Sequence, residues 1–83
     1  MTEAEHDVIQ ARIDMIKAAR AGAARLRSIC PKLYRYQCQQ LEHAAGVSES
    51  AIGMINPAFD FDALRRETGF DIENLPPRQR RSA

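Results

Sequence analysis

Apolar residues recur every three or four positions along the first third of the chain. The series consists of Ile9, Ile13, Ile16, Ala19, Ala23, Leu26 and Cys30. This spacing places the residues on one face of an α-helix. Thr2 and Glu5 fit a capping box, in which each side chain bonds the free backbone N–H group of the other. Because Pro31 cannot continue a helix, we predict a first helix over residues 3–28, about 39 Å long.

The remaining pattern predicts a compact cluster of three shorter helices. They cover residues 32–45, 49–55 and 61–68. Gly46 is expected to end the second helix, and Ser48 to cap the third. Asp60 is expected to cap the fourth helix, with Gly69 as its C-terminal glycine. The predicted fold is therefore all-α, with one long N-terminal helix packed on the three short ones.

The end of the chain has a different composition. Phe70, Ile72 and Leu75 are expected to fold back as a closing strap, and the pair of prolines at 76–77 to end the domain. We therefore predict a single helical domain over residues 1–77, followed by a disordered basic tail over residues 78–83.

The overall composition is that of a globular protein. Hydrophobic residues make up 45% of the 83 residues and charged residues 28%, a balance that disordered chains do not have. No apolar run approaches the roughly 18 residues of a membrane span, and the polar, acidic N-terminus does not resemble a signal peptide. We therefore expect a cytoplasmic protein that binds no membrane, with Cys30 and Cys38 as free thiols.

The charges are segregated along the chain although the formal net charge is only +1. Residues 12–35 contain seven bases and one acid, residues 36–74 contain seven acids and two bases, and three arginines follow. Such blocks indicate a polyanionic or acidic partner. The alternative is that the basic and acidic blocks pack against each other within the domain.

Residues 38–56 read CQQLEHAAGVSESAIGMIN and resemble the helix-turn-helix of lambda-type phage repressors. In this reading Leu41 faces the core, Gly46 makes the turn and Val47 fills the corner. Ile52 and Ile55 then bury the inner face of the second helix. The resemblance implies that the outer face enters the DNA major groove. The residues it assigns to DNA contact are Ser48, Glu49, Ser50 and Gly53.

The same segment departs from the repressor pattern in its charge. It contains no Lys or Arg and includes Glu49, while Glu42 stands where the family usually has a small residue. Since phosphate contacts supply most non-specific DNA affinity, the bases must come from elsewhere. The candidates are Arg20, Arg25, Arg27 and Lys32. On this reading the chain is a small DNA-binding transcription regulator of the kind that phages and plasmids carry.

A protein-binding adaptor or inhibitor is the alternative function. It would use the long helix and the acidic C-terminal half as contact surfaces, with an acidic protein in place of DNA as the partner. A short cluster cannot cover the whole apolar stripe of the first helix, so Ile9, Ile13 and Ile16 are predicted to form an interface in a homodimer or a heteromeric complex.

Enzymatic chemistry is not expected. The chain offers no recognisable nucleophile and base pair and no phosphate-binding glycine loop. Cys30, Cys38 and His43 lack the short paired spacings of structural zinc sites. We therefore predict neither a cofactor nor a metal.

Overall fold

The computed structural model of the protein describes residues 1–70, which form three α-helices. They are α1 (Glu3–Ile29), α2 (Arg35–Ile55) and α3 (Phe61–Thr68). The prediction of an all-α fold with a long N-terminal helix packed on the rest is confirmed. Residues 72 and 75 of the predicted strap, and the predicted tail over residues 78–83, lie outside the described residues.

The N-terminus of α1 is held by the predicted capping box. The Thr2 hydroxyl accepts a hydrogen bond from the backbone N–H of Glu5 at 3.1 Å, and the Glu5 carboxylate accepts one from the backbone N–H of Thr2 at 2.9 Å. The bond from the backbone N–H of Thr2 stabilises the charged carboxylate and lowers the pKa of Glu5. The helix ends at Ile29 and Cys30 is extended, so the predicted end was one residue short.

The second helix, α2, is one continuous helix of 21 residues, where the sequence predicted two helices and a turn. Gly46 lies inside it, and among residues 1–70 only Gly69 has a positive φ. The predictions of a turn at Gly46, of Ser48 as an N-cap and of Val47 filling a corner are therefore wrong. The helix also begins three residues later than expected, because residues 31–34 form the turn that follows α1.

Packing explains why α2 continues through its glycine. Buried residues recur at helical spacing on both sides of Gly46, with Cys38 and Ala45 before it and Ser48 and Ile52 after it. One glycine costs a helix about 1 kcal/mol, whereas burying an isoleucine side chain contributes about 1.5–3 kcal/mol. Burial of the second half of α2 against α1 therefore outweighs the cost of the glycine.

The helices α1 and α2 form an antiparallel hairpin. Near the connection the Cys38 thiol donates to the carbonyl of Ala23 at 3.5 Å, and further along Ser48 lies 3.9 Å from the sulfur of Met15. The buried core cluster consists of Ile9, Ile16, Ala19, Ala45, Ile52 and Leu64. Two of the residues predicted to face a partner, Ile9 and Ile16, thus lie in the chain's own core.

The third helix, α3, forms where the sequence predicted it. The Asp60 carboxylate accepts a hydrogen bond from the backbone N–H of Ala63 at 3.0 Å, and Gly69 ends the helix with φ +77°. Leu64 is the buried residue of this helix. The rings of Phe59 and Phe61, which pack against the core, have centroids 5.0 Å apart.

Gly53 is a position where added volume should stabilise the fold. A Cβ atom there would lie 3.6 Å from the Phe61 ring, which is ordinary van der Waals contact. Since glycine costs a helix about 0.5–1 kcal/mol relative to alanine, we expect Gly53→Ala to raise the free energy of unfolding by that amount in urea denaturation. Gly69→Ala is the matched control and should lower it by about 1–2 kcal/mol because of its left-handed backbone. Destabilisation by Gly53→Ala would contradict the close but unstrained packing of α2 on Phe61.

Candidate functional site

The four residues that the repressor resemblance assigns to DNA do not form an exposed face. Ser48 and Glu49 are buried, and Gly53 is half-buried against Phe61. Only Ser50 is exposed. A side chain that is buried within its own chain cannot reach a base edge, so the predicted contact surface is wrong for Ser48 and Glu49. The cause is the missing turn, because a continuous α2 rotates this segment against α1 and α3.

The four bases predicted to contact phosphates are separated by the fold. Arg20 is 1% exposed and lies inside the protein, so that prediction is wrong. Arg27 is half-buried, while Arg25 and Lys32 are exposed. Of the two exposed bases, Arg25 lies near the end of α1 and Lys32 lies in the connection between α1 and α2.

Arg20 is the centre of a buried polar network that joins all three helices. Its Nε donates to Glu42 Oε1 at 3.3 Å, and its Nη2 donates to Glu49 Oε2 at 3.2 Å. Its Nη1 donates to the hydroxyl of Thr68 on α3 at 3.0 Å. Three donors of one planar guanidinium therefore reach three acceptors on two other helices.

Glu49 is shared between Arg20 and a second arginine. Arg65 donates from Nη2 to Glu49 Oε1 at 2.8 Å and from Nε to Oε2 at 3.1 Å, the two-pronged geometry that suits a carboxylate. This hydrogen bonding raises the pKa of Arg65. The ring of Phe70 stacks on both guanidiniums, with its centroid 5.1 Å from Arg20 Cζ and 4.9 Å from Arg65 Cζ.

An open cleft of about 450 Å³ borders this network between α2 and α3. Its lining includes the charged residues Arg20, Glu49 and Arg65, and both arginines donate to Glu49. The network therefore ties α3 to the hairpin, and in part confirms that the basic and acidic blocks pack together. An exposed pair at 3.4 Å between Lys17 and Glu67 adds a further link between α1 and α3.

The connection between α1 and α2, together with the helix ends on either side of it, forms what we call the hairpin tip, over residues 25–36. It has three exposed apolar side chains, Ile29, Leu33 and Tyr36. The exposed bases Arg25, Lys32 and Arg35 lie among them. Residues 15–41 contain no Asp or Glu at all, so no acidic residue of this segment neutralises the tip.

A surface of mainly small and apolar side chains, which we call the open face, runs along the hairpin on the side away from α3. At 100° per residue, its α1 residues are Val8, Ala11, Met15, Ala18 and Gly22, and its α2 residues are Ala44, Val47, Ala51 and Met54. Two contacts between α1 and α2 show that these residues lie on the same side of the hairpin: Met15 contacts Ser48, and Gly22 faces Leu41.

The open face exposes large apolar side chains. Val8, Met15, Val47 and Met54 are all exposed, Met54 to 88%. The network of Arg20 lies on the opposite flank of the hairpin, beside α3. Within the described part of the chain, therefore, no helix covers this face.

Residues 1–70 contain no group of three or more His, Cys, Asp or Glu side chains that could hold a metal ion. Both cysteines are free; Cys38 is buried and Cys30 is half-buried. None of the helices in this part of the chain is long and apolar enough to cross a membrane.

The chain matches no protein-family model, no curated protein and no solved structure. The resemblance to lambda-type repressors therefore stays a prediction that rests on residues 38–56. Apart from Met1, the exposed large apolar side chains of residues 1–70 lie on the hairpin tip and the open face.

Proposed function

We propose that this protein is a non-enzymatic, protein-binding adaptor whose hairpin tip binds an acidic surface of a partner protein. The observation that carries the proposal is the composition of the tip. Exposed Ile29 and Leu33 stand among exposed bases, in a segment without any acidic residue. This surface offers apolar area and positive charge together, which an acidic protein surface with its own apolar side chains complements.

The chemistry of the tip favours a protein over DNA. Phosphates are bound by Lys, Arg and polar groups, and single strands stack on aromatic rings. Exposed Ile29 and Leu33 do neither, whereas they lose their water shell favourably against another apolar surface. Tyr36 and the arginines are of the types enriched at the energetic centres of protein interfaces.

The position of the tip also suits an adaptor. The buried network uses Arg20 and Arg65 to hold α3 on the hairpin body, and it leaves Arg25, Lys32 and Arg35 at the far end. The hairpin can therefore present this end to a partner without disturbing its own core.

A titration with three ligands tests the proposal. The ligands are a helical peptide with Glu and Leu on one face, a random-sequence DNA duplex and vesicles that contain phosphatidylserine. We expect the peptide to shift the backbone amide resonances of residues 25–36 at physiological salt. Replacing Arg25, Lys32 and Arg35 together with Gln should abolish these shifts. The matched control, Lys17 and Arg66 replaced with Gln, removes two exposed bases elsewhere and should leave them intact.

The proposal would be wrong if the DNA duplex or the vesicles bound to the protein more tightly than the peptide. We expect a dissociation constant for the duplex weaker than about 10⁻⁴ M, the limit of non-specific binders. Tighter duplex binding, with a salt slope that falls by about 0.9 for each base removed, would establish the DNA-binding function instead. Vesicle binding that exceeds peptide binding would make the tip a membrane-surface site.

A further inference from the structure

The open face is a second surface, which meets the hairpin tip only at Arg25 on its edge. We infer that it binds the open face of a second copy of this chain, with the two hairpins antiparallel. Stacked in this way, two hairpins form a four-helix bundle, an arrangement in which apolar helix faces are commonly buried.

The chemistry of the face fits a helical partner. Its large side chains, such as Met15 and Val47, alternate with alanines and Gly22, and such alternation lets facing layers of helices interdigitate. None of the nine residues that form the face is charged, although the half-buried Arg12 borders it between Val8 and Met15. A contiguous exposed apolar patch of this kind marks an interaction site in soluble proteins.

The distribution of charge identifies a second copy as the occupant. Glu3, Glu5 and Asp7 begin α1, whereas residues 15–41 contain no acidic residue. An antiparallel second copy places the acidic beginning of each α1 beside the acid-free part of the other. One protein surface thus carries both halves of a complementary pair, which a two-fold symmetric interface requires.

One pair of residues fixes the register. Asp7 and Arg25 are both exposed, and the 18 positions between them equal five turns of about 3.6 residues. Both therefore lie along the same edge of the open face, with Met15 near the midpoint. A two-fold axis near Met15 brings Asp7 of each copy beside Arg25 of the other.

This arrangement leaves the loop of each hairpin tip free, while Arg25 at the start of the tip lies at the edge of the dimer interface. With the axis near Met15, the N-terminus of one copy reaches only to about Ile29 of the other. The loop that contains Lys32 and Leu33 then extends beyond the second copy. The dimer would have one tip at each end, so an adaptor built in this way could hold two partners.

Sedimentation over a wide concentration range tests the dimer. We expect reversible dimerisation of the wild-type chain. Met15→Asp should weaken it by about 100-fold or more, because it buries two carboxylates near the axis. Leu33→Asp is the matched control, since Leu33 is 68% exposed but lies at the tip, and it should leave the dimer unchanged. Circular dichroism would confirm that both variants keep their helices.

A charge exchange tests the antiparallel register. Arg25→Glu should weaken the dimer by about tenfold, because each new carboxylate faces Asp7 of the other copy. Combining it with Asp7→Arg should restore the wild-type affinity to within about threefold.

Three results would overturn the inference. A monomer at every concentration, or equal effects of Met15→Asp and Leu33→Asp, would show that the open face does not bind a second copy. A dimer that is weakened by Met15→Asp but not restored by the double exchange would exclude the antiparallel register. Peptide binding at the tip can be measured on the Met15→Asp monomer, so failure of the dimer leaves the test of the adaptor intact.

Discussion

Replacing Arg20 with Met is expected to lower the free energy of unfolding by about 3–5 kcal/mol, the range for removing one partner of a buried ion pair. Arg20 is 1% exposed and donates to three acceptors on α2 and α3. Without it, the buried carboxylate of Glu42 loses its bond to the guanidinium, and the carboxylate of Glu49 keeps only Arg65. Since small domains are stable by only about 5–15 kcal/mol, this variant should be close to unfolding in urea titrations followed by circular dichroism.

Two control variants separate charge from geometry. Arg20→Lys keeps the positive charge but cannot reach three acceptors with one planar group, so we expect it to recover only part of the loss. Lys17→Met breaks the exposed pair with Glu67 and should cost no more than about 1 kcal/mol. If Arg20→Met were as mild as Lys17→Met, the network would contribute little to stability.

The elements that could be predicted from sequence have local start and stop signals. The ends of α1 followed from Thr2, Glu5 and Pro31, which act through neighbouring backbone groups. The short helix α3 followed from Asp60 and Gly69 in the same way. A cap bonds residues three or four positions away, so its effect can be read without knowledge of the tertiary structure.

The conformation at Gly46 could not be predicted from its neighbours in the sequence. A glycine between two apolar helical patterns fits a turn and also fits a glycine inside one long helix. The outcome depends on Ile52, which is fully buried in the core only because α2 continues along α1. That contact joins residues distant in sequence, and the chain gives no local sign of it.

The predicted turn at Gly46 is also the reason why the buried network of Arg20 was not predicted. Glu42 and Glu49 are seven residues apart, which places them two turns apart on one face of a continuous helix. A turn at Gly46 separates them and makes Glu49 an exposed residue of a recognition helix. Seven-residue spacing of two acids, opposite an arginine in the alanine-rich first helix, was the signal that could have identified the network.

The residues of the predicted protein interface lie in or against the core for a related reason. Ile9, Ile13 and Ile16 were expected to stay uncovered, because three short helices are too small to cover a long one. A 21-residue α2 is long enough, and these residues now contribute to the core or pack against it. The surface that remains uncovered is the neighbouring open face, which begins one residue away at Val8 and Met15.

Val47→Pro is expected to cost about 3 kcal/mol or more, and it distinguishes a continuous α2 from a helix-turn-helix corner. Inside a helix, proline removes the hydrogen bond from its own N–H and its ring clashes with the preceding turn. Immediately after a helix-ending glycine, by contrast, proline is common. If the chain turned at Gly46, the substitution should therefore be tolerated.

The matched control is Val47→Ala, which leaves the backbone hydrogen bond in place. Val47 is half exposed, so this change should stay within about 0.5 kcal/mol of the wild type. Both variants should be compared by urea denaturation at one low protein concentration, where self-association through the open face does not contribute. Equal stability of the two would mean that residue 47 does not need its helical hydrogen bond. That result would favour a repressor-like turn at Gly46 over a continuous α2.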